Sequence, residues 1–174
     1  MAQRQSDNSI RVYAGFNTGD DPAWTLNRFQ AESPGTAISA LQSHFVDWQP
    51  TLLNLLLFAE TTTVLPRPLY MLPVDHKWDA RAGVTLIGDA GHVMTPFAGE
   101  GVNIAMWDAL ELAKAIVKGI EDGDIDGKIR ESEVRMFERV ETSARRTEAN
   151  MRTLMSSGNI EESMKEMMER LQRQ

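Results

Sequence analysis

A mixed α/β fold is predicted by three features of this 174-residue sequence. A strand-like run, Val84-Thr85-Leu86-Ile87, opens into a glycine-rich stretch, GDAGHVMTPFAGEGVN, at residues 88–103. A long helical periodicity follows directly, so the stretch reads as a strand-to-helix crossover. Further upstream, short strand-like and proline-punctuated segments alternate with two short helical ones.

Taken in chain order, Ile10 to Phe16 alternates enough to be a strand. Pro34 to His44 and Trp48 to Phe58 read as two short helices, with a turn at Asp47-Trp48-Gln49-Pro50. The apolar run Leu52 to Ala59 is interrupted by Asn54 and is expected to be a buried helix turn, since about 20 apolar residues are needed to span a bilayer. Thr61 to Pro73 is β-branched and carries prolines, which suits an extended segment or an edge strand and excludes a helix. From Val102, the apolar residues Ala105, Met106, Ala109, Leu112, Ala113 and Ile116 recur at helical spacing opposite Asn103, Glu111, Lys114 and Lys118. They predict an amphipathic helix with that face buried. A second long helix is expected from about Ile129 to Met155, with Met136, Phe137, Val140, Ala144, Met151 and Leu154 on one side. Ile160, Met164, Met167, Met168 and Leu171 repeat the pattern in the tail.

Composition narrows the function. Eighteen basic against 25 acidic side chains leave a net charge of −7, which offers no basic field for nucleic acid or an anionic membrane. No cysteine is present, so disulfide and thiol chemistry are excluded. The polar opening residues, Met1 to Asp7, lack the apolar core of a secretory signal, and a cytoplasmic location is expected.

The crossover is where chemistry is expected. Asp89 follows the expected strand, at the end where open α/β sheets bind ligands, and its carboxylate can accept hydrogen bonds from a polyol. Gly99 and Gly101 remove side chains just before a helix begins, so backbone N–H groups and the helix dipole can face an electron-rich ring. Asn103 adds an amide that both donates and accepts. Pro96 and Phe97 supply a stiff apolar floor. Each feature also has a purely structural use: glycines make tight turns, and an aspartate after a strand caps a helix. The residue three beyond Gly101 is Ile104, so the dinucleotide fingerprint is incomplete and a standard NAD site is rejected.

The whole run GDAGHVMTPFAGEGVNIAMWDALELAKAI resembles the GD motif of class A flavin-dependent aromatic monooxygenases, the group typified by p-hydroxybenzoate hydroxylase. Its G-D-A-x-H, P-x-x-G-x-G-x-N and D-A-x-x-L-A parts are all present. Upstream, a DW pair in a helical stretch followed by LPRPLYMLPVDHKW is similar to the tetracycline-inactivating branch of that group. The resemblance implies FAD as cofactor and NAD(P)H as reductant, with hydroxylation of a small aromatic or polyketide-like molecule. It implies that Gly88, Asp89, Pro96, Ala98, Gly99, Gly101, Val102 and Asn103 contact FAD, that Phe97 lies near the substrate, and that no residue of this chain is itself catalytic. It further implies three regions: 1–73 as part of a substrate-binding domain, 74–120 as part of an FAD-binding domain, and 121–174 as C-terminal helices.

Family members also carry a G-x-G-x-x-G turn for the ADP half of FAD and a second D-G motif. Neither occurs here, so the chain is expected to correspond to the C-terminal half or less of such an enzyme. A missing Rossmann half or a second copy of the chain is then expected to cover the open sheet edge. Two other classes stay open: a non-redox isomerase, cyclase or binding protein derived from the fold, and a subunit completing another chain's FAD site. His44, His76 and His92 share no metal-ligand spacing, and no serine has a G-x-S-x-G setting. His92 is expected to be structural. Asp122, Asp124, Asp126, Gly127 and Glu133 do satisfy the spacing of a calcium loop, against which stands the reading of a solvated acidic connector; no metal is assigned.

Overall fold

A computed structural model describes residues 1–15, 17, 34–60, 64–65, 67–155, 165 and 169. They divide into two compact units, Met1–Pro68 and Leu69–Gln174.

In the first unit, β1 (Ala2–Arg4) and β2 (Ile10–Val12) pair antiparallel, with Gln3 opposite Arg11. The connecting turn is closed by the Gln5 amide donating to the Ser9 carbonyl at 2.9 Å, and Asn8 takes a left-handed φ of 68°. Asparagine tolerates that conformation better than most side chains. The strand expected over Ile10 to Phe16 therefore ends at Val12, and Phe16 lies outside the described residues. Helices α1 (Pro34–His44) and α2 (Pro50–Leu57) stand where the sequence places them, and Pro50 occupies the first turn of α2, where a missing N–H costs nothing. Phe45 and Trp48 pack edge to face at 4.9 Å in the intervening turn. The Leu52–Ala59 run is not the buried turn expected: Leu56 is buried, while Leu57 and Phe58 are 55% and 84% exposed. An eight-residue helix packed on one neighbour buries one stripe and leaves the rest of its apolar surface outside.

The second unit is built on a helical hairpin. A segment without regular structure, residues 69–88, leads into the four-residue α3 (Asp89–His92) and a 3-10 turn at Pro96–Ala98. Then come α4 (Gly101–Asp122) and α5 (Ile125–Met155). Gly123 ends α4 in the left-handed conformation, φ 74°, and its amide donates to the Gly119 carbonyl. The two helices pack antiparallel around Ile104, Met136 and Val140, with Trp78, Ile87, Met94 and Phe137 closing the cluster. Trp78 meets Phe137 edge to face at 4.7 Å.

Four sequence expectations are corrected here. The strand at Val84–Ile87 is not a strand. Val84 makes one isolated bridge to Arg81, and among the described residues no segment supplies a ladder for Thr85 to Ile87. Among the described residues the α/β expectation reduces accordingly to a mostly helical fold with one two-stranded sheet. The buried face of α4 is also a different one: Ile104, Asp108, Ala115 and Gly119 are buried, whereas Met106 is 68% exposed and Ala109, Ala113 and Ile116 are exposed. Counting apolar residues favours the stripe with more carbon, but α5 packs on the stripe that holds Asp108 and Gly119. Helix α5 begins at Ile125 rather than Ile129, because the Asp124 carboxylate accepts from the Gly127 amide at 2.9 Å and caps it. Residues 160, 164, 167, 168 and 171 lie outside the described residues.

Candidate functional site

The glycine-rich stretch folds as a compact corner on the α4–α5 hairpin. Gly88 adopts φ 60° and ψ −147°, a region left almost entirely to glycine, and a Cβ there would lie 3.2 Å from the Ala105 Cβ. This turn sends the chain from residues 84–87 into α3 with Asp89 at its first position. Gly91 lets the Trp78 ring approach: a Cβ would stand 3.0 Å from Cη2.

Below the corner, α5 holds the 3-10 turn. The buried Thr147 hydroxyl donates to the Thr95 carbonyl at 2.6 Å and accepts from the Ala98 amide at 3.1 Å. Asn150 donates to the Phe97 carbonyl at 3.1 Å. Glu100, next to the start of α4, turns its carboxylate toward α5, accepting from the Ser143 hydroxyl at 2.6 Å and pairing with Arg146. It leaves the first turn of α4 without a side-chain cap.

An uncapped helix start is a place for a ligand when space lies beside it. Here an open concavity of about 440 Å³ is lined by Asp89, Gly101, Val102, Ala105, Met106 and Ala109. Its size falls in the range of small-molecule sites, about 300 to 1,000 Å³. One carboxylate stands among small or flexible apolar side chains. No atom lies within 4 Å of a Cβ built on Gly99 or Gly101, so no protein neighbour demands glycine at either position. Gly99 does require it for another reason, a left-handed φ of 69°. Of the residues singled out by sequence, the concavity brings together Asp89, Gly101 and Val102. Gly88, Pro96, Ala98, Gly99 and Asn103 belong to the same corner but not to its lining. Phe97 is half-buried.

His92, expected to be structural, is buried here; what sequence reasoning missed is the buried polar network that it joins behind the corner. Asp108, 2% exposed, accepts from the Gly88 amide at 3.2 Å and from Arg139 at 2.8 Å, and its Oδ2 lies 2.5 Å from Nε2 of the buried His92. The Arg139 guanidinium also sits 5.2 Å over the Trp107 ring. Close by, the buried Glu133 accepts from Trp78 Nε1 at 3.0 Å and from the Thr85 hydroxyl at 2.7 Å. At the edge of the α4–α5 interface, the hydrogen bond from Lys114 holds the Glu111 carboxyl below its ordinary pKa, partial burial opposing and the charges of Lys114, Arg135 and Arg139 assisting. Polar side chains at helical spacing on an otherwise apolar stripe, such as Thr147 and Asn150 beside Ala144, were the one available signal.

The acidic connector is arranged for helix capping and packing. Asp122 pairs with Lys118 at 3.0 Å, Asp124 caps α5, and the Asp126 carboxylate accepts from the Gly83 amide at 2.9 Å. Glu133 is turned to Trp78 and Thr85. Because Asp126, Gly127 and Glu133 are helical, the twelve-residue loop that would wrap a calcium ion does not form. Calcium titration by calorimetry is expected to give millimolar binding or none. A micromolar Kd abolished by Glu133→Gln would contradict this.

A family match falls across the same corner. Residues 76–126 match the family described as FAD binding domain. Monooxygenase asqM of Emericella nidulans is 40% identical over 93 residues, which cover 48% of this chain and 21% of that protein. The chloroplastic zeaxanthin epoxidase of Solanum lycopersicum is 34% identical over 110 residues, 59% of this chain and 16% of the epoxidase. The dual O-methyltransferase/FAD-dependent monooxygenase elcB of Phaeosphaeria nodorum is 34% identical over 126 residues, 68% of this chain and 12% of that protein. The chain thus spans about a fifth or less of the length of these relatives. No helix among the described residues is long and apolar enough to cross a membrane. By sequence, residues 76–126 carry the signature of an FAD binding domain, and the chain is related to FAD-dependent monooxygenases.

Proposed function

We propose that this chain supplies the flavin-ring and ribityl side of the FAD site in a class A flavin-dependent monooxygenase, one that hydroxylates a small aromatic or polyketide-like molecule. The observation that carries the reading is the concavity joining Asp89 to the uncapped start of α4. The fit is chemical as well as spatial: a carboxylate for polyol hydroxyls, glycine where the backbone must come close, and an apolar wall for a ring.

When bound, FAD supplies the activation of oxygen, with NAD(P)H as the source of electrons. The chain's own residues bind and orient it. Asp89 would accept hydrogen bonds from ribityl hydroxyls. The first-turn amides of α4, from Gly101 to Asn103, face negative charge with the positive end of a 22-residue helix behind them. Pro96, Ala98 and Gly99 shape the approach, Gly88 aims Asp89, and Ala105, Met106 and Ala109 would form an apolar wall against the ring. Phe97 is assigned to the substrate side. In this reading residues 1–73 belong to a substrate-binding domain, 74–120 to the FAD-binding domain and 121–174 to a helical C-terminal region. Similarity to the tetracycline-inactivating branch rests on the DW and LPRPLYMLPVDHKW segments.

The exposed side of α4 supports the further proposal that the ADP-binding half of the site lies in other polypeptide, linked or separate. Val102, Trp107, Leu110, Val117 and Ile120 are each more than half exposed, an apolar surface that a neighbouring layer would cover.

Asp89→Ala is expected to weaken FMN or FAD binding about tenfold, ~1.5 kcal/mol, the lower end for a charge-assisted hydrogen bond at an open site. Thermal unfolding should be unaltered. Flavin fluorescence titration of both proteins checks this; equal affinities would reduce Asp89 to the first residue of a short helix.

A further inference from the structure

A single carboxylate behind the corner is bonded to three separate pieces of chain. Asp108 sits in the middle of α4, 2% exposed. One oxygen accepts from Arg139 on α5 at 2.8 Å. The other accepts from the Gly88 amide at 3.2 Å and lies 2.5 Å from His92 Nε2. A buried carboxylate is costly unless it is paired and its remaining lone pairs are hydrogen-bonded; Arg139 supplies the charge on one oxygen, and Gly88 and His92 serve the other. Those two contacts also tie α4 to the residues on either side of Asp89.

They clamp the residues on both sides of Asp89. The Gly88 amide is held by Asp108, while the Gly88 carbonyl accepts from the Gly91 and His92 amides, each at 2.9 Å. The φ and ψ of Gly88, 60° and −147°, are open to glycine and closed to other residues, so the turn into Asp89 depends on glycine at this position. His92 is 6% exposed, and its Nδ1 has no hydrogen-bond partner among the described residues, so the placement of the ring rests on Asp108. Asp89 lies between these two anchors and lines the concavity.

On the reading that Asp89 binds the ribityl chain, we propose that Asp108 is a positioning residue of the flavin site, acting through Gly88 and His92, with Arg139 as the counter-charge that fixes its other oxygen. Helix α5 then contributes to flavin affinity without touching the concavity, and the aim of Asp89 is set from behind.

The test is a double-mutant cycle in the full chain, read as FMN affinity by fluorescence titration. Asp89→Ala, Asp108→Asn and the double variant are compared with the unmodified protein, with far-UV circular dichroism confirming that each is folded. If Asp108 acts through Asp89, each single change weakens FMN about tenfold and the double variant is within about twofold of the singles, because contacting or coupled residues are non-additive. Losses that multiply to about a hundredfold would overturn the proposal, as would an Asp108→Asn protein that binds FMN normally while Asp89→Ala does not. An unaffected Asp89→Ala protein would instead identify the ribityl assignment as the failure, and the positioning role would fall with it. If Asp108→Asn does not fold, Arg139→Gln replaces it in the same cycle with the same non-additive pattern expected.

Discussion

Asp108→Ala is expected to lower the stability of the 69–174 unit by about 3 to 5 kcal/mol, the scale on which breaking one half of a buried ion pair destabilises a protein. The cost comes from what is left behind. Arg139, its side chain 20% exposed, loses its carboxylate, His92 loses the partner of Nε2, and the Gly88 amide loses its acceptor. The contact of Arg139 with the Trp107 ring survives but is worth only about 0.5 to 2 kcal/mol. Against a total stability of about 5 to 15 kcal/mol, such a loss removes a large share of the folded margin. Urea unfolding followed by circular dichroism measures it. Asp108→Asn, which keeps the shape and one acceptor, should lose less. A loss under about 1 kcal/mol for the alanine variant would place Asp108 with exposed ion pairs and contradict its role as the centre of a buried network.

Gly119→Val is expected to cost about 3 kcal/mol, at the upper end for overpacking, because the atoms in its way are backbone. A Cβ on Gly119 would lie 2.5 Å from the Ile125 Cα and 3.1 Å from the Asp124 carbonyl oxygen. No rotamer change relieves either contact, so the ends of α4 and α5 must separate. For a unit of this size each kcal/mol shifts Tm by about 4 to 8 °C, so a fall of at least 10 °C is the expected readout. An unchanged Tm would mean that the hairpin is not closed as described.

What could be read from the sequence follows the range of the physics involved. The four longer helices among the described residues were legible because helical periodicity, and a helix-starting proline such as Pro34, act within a few positions. The orientation of α4 was not. Asp108 and Gly119 face α5 because Arg139 and Ile125 await them there, and partners 31 and 6 residues away leave no mark on local hydrophobicity. Val84 to Ile87 has strand-forming residues, but a strand also needs a ladder, and that is non-local. The same division runs through the candidate site. Asp89, Gly101 and Val102 were identified from motif chemistry and do line one concavity. Thr147, Asn150, Arg139 and Glu133, which hold the corner in place, bond to partners 31 to 55 residues earlier in the chain, and their role became visible only once α5 was packed.

The flavin-ring assignment is tested most directly by mapping backbone amide shifts of the 174-residue chain with FMN and, separately, with ADP at the same millimolar concentrations. A site that holds the ribityl and ring side of the cofactor predicts that FMN shifts the amides of Asp89 and of Gly101 to Met106, with ADP leaving them in place. Shifts at those amides with ADP, or FMN shifts confined to other parts of the chain, would contradict it.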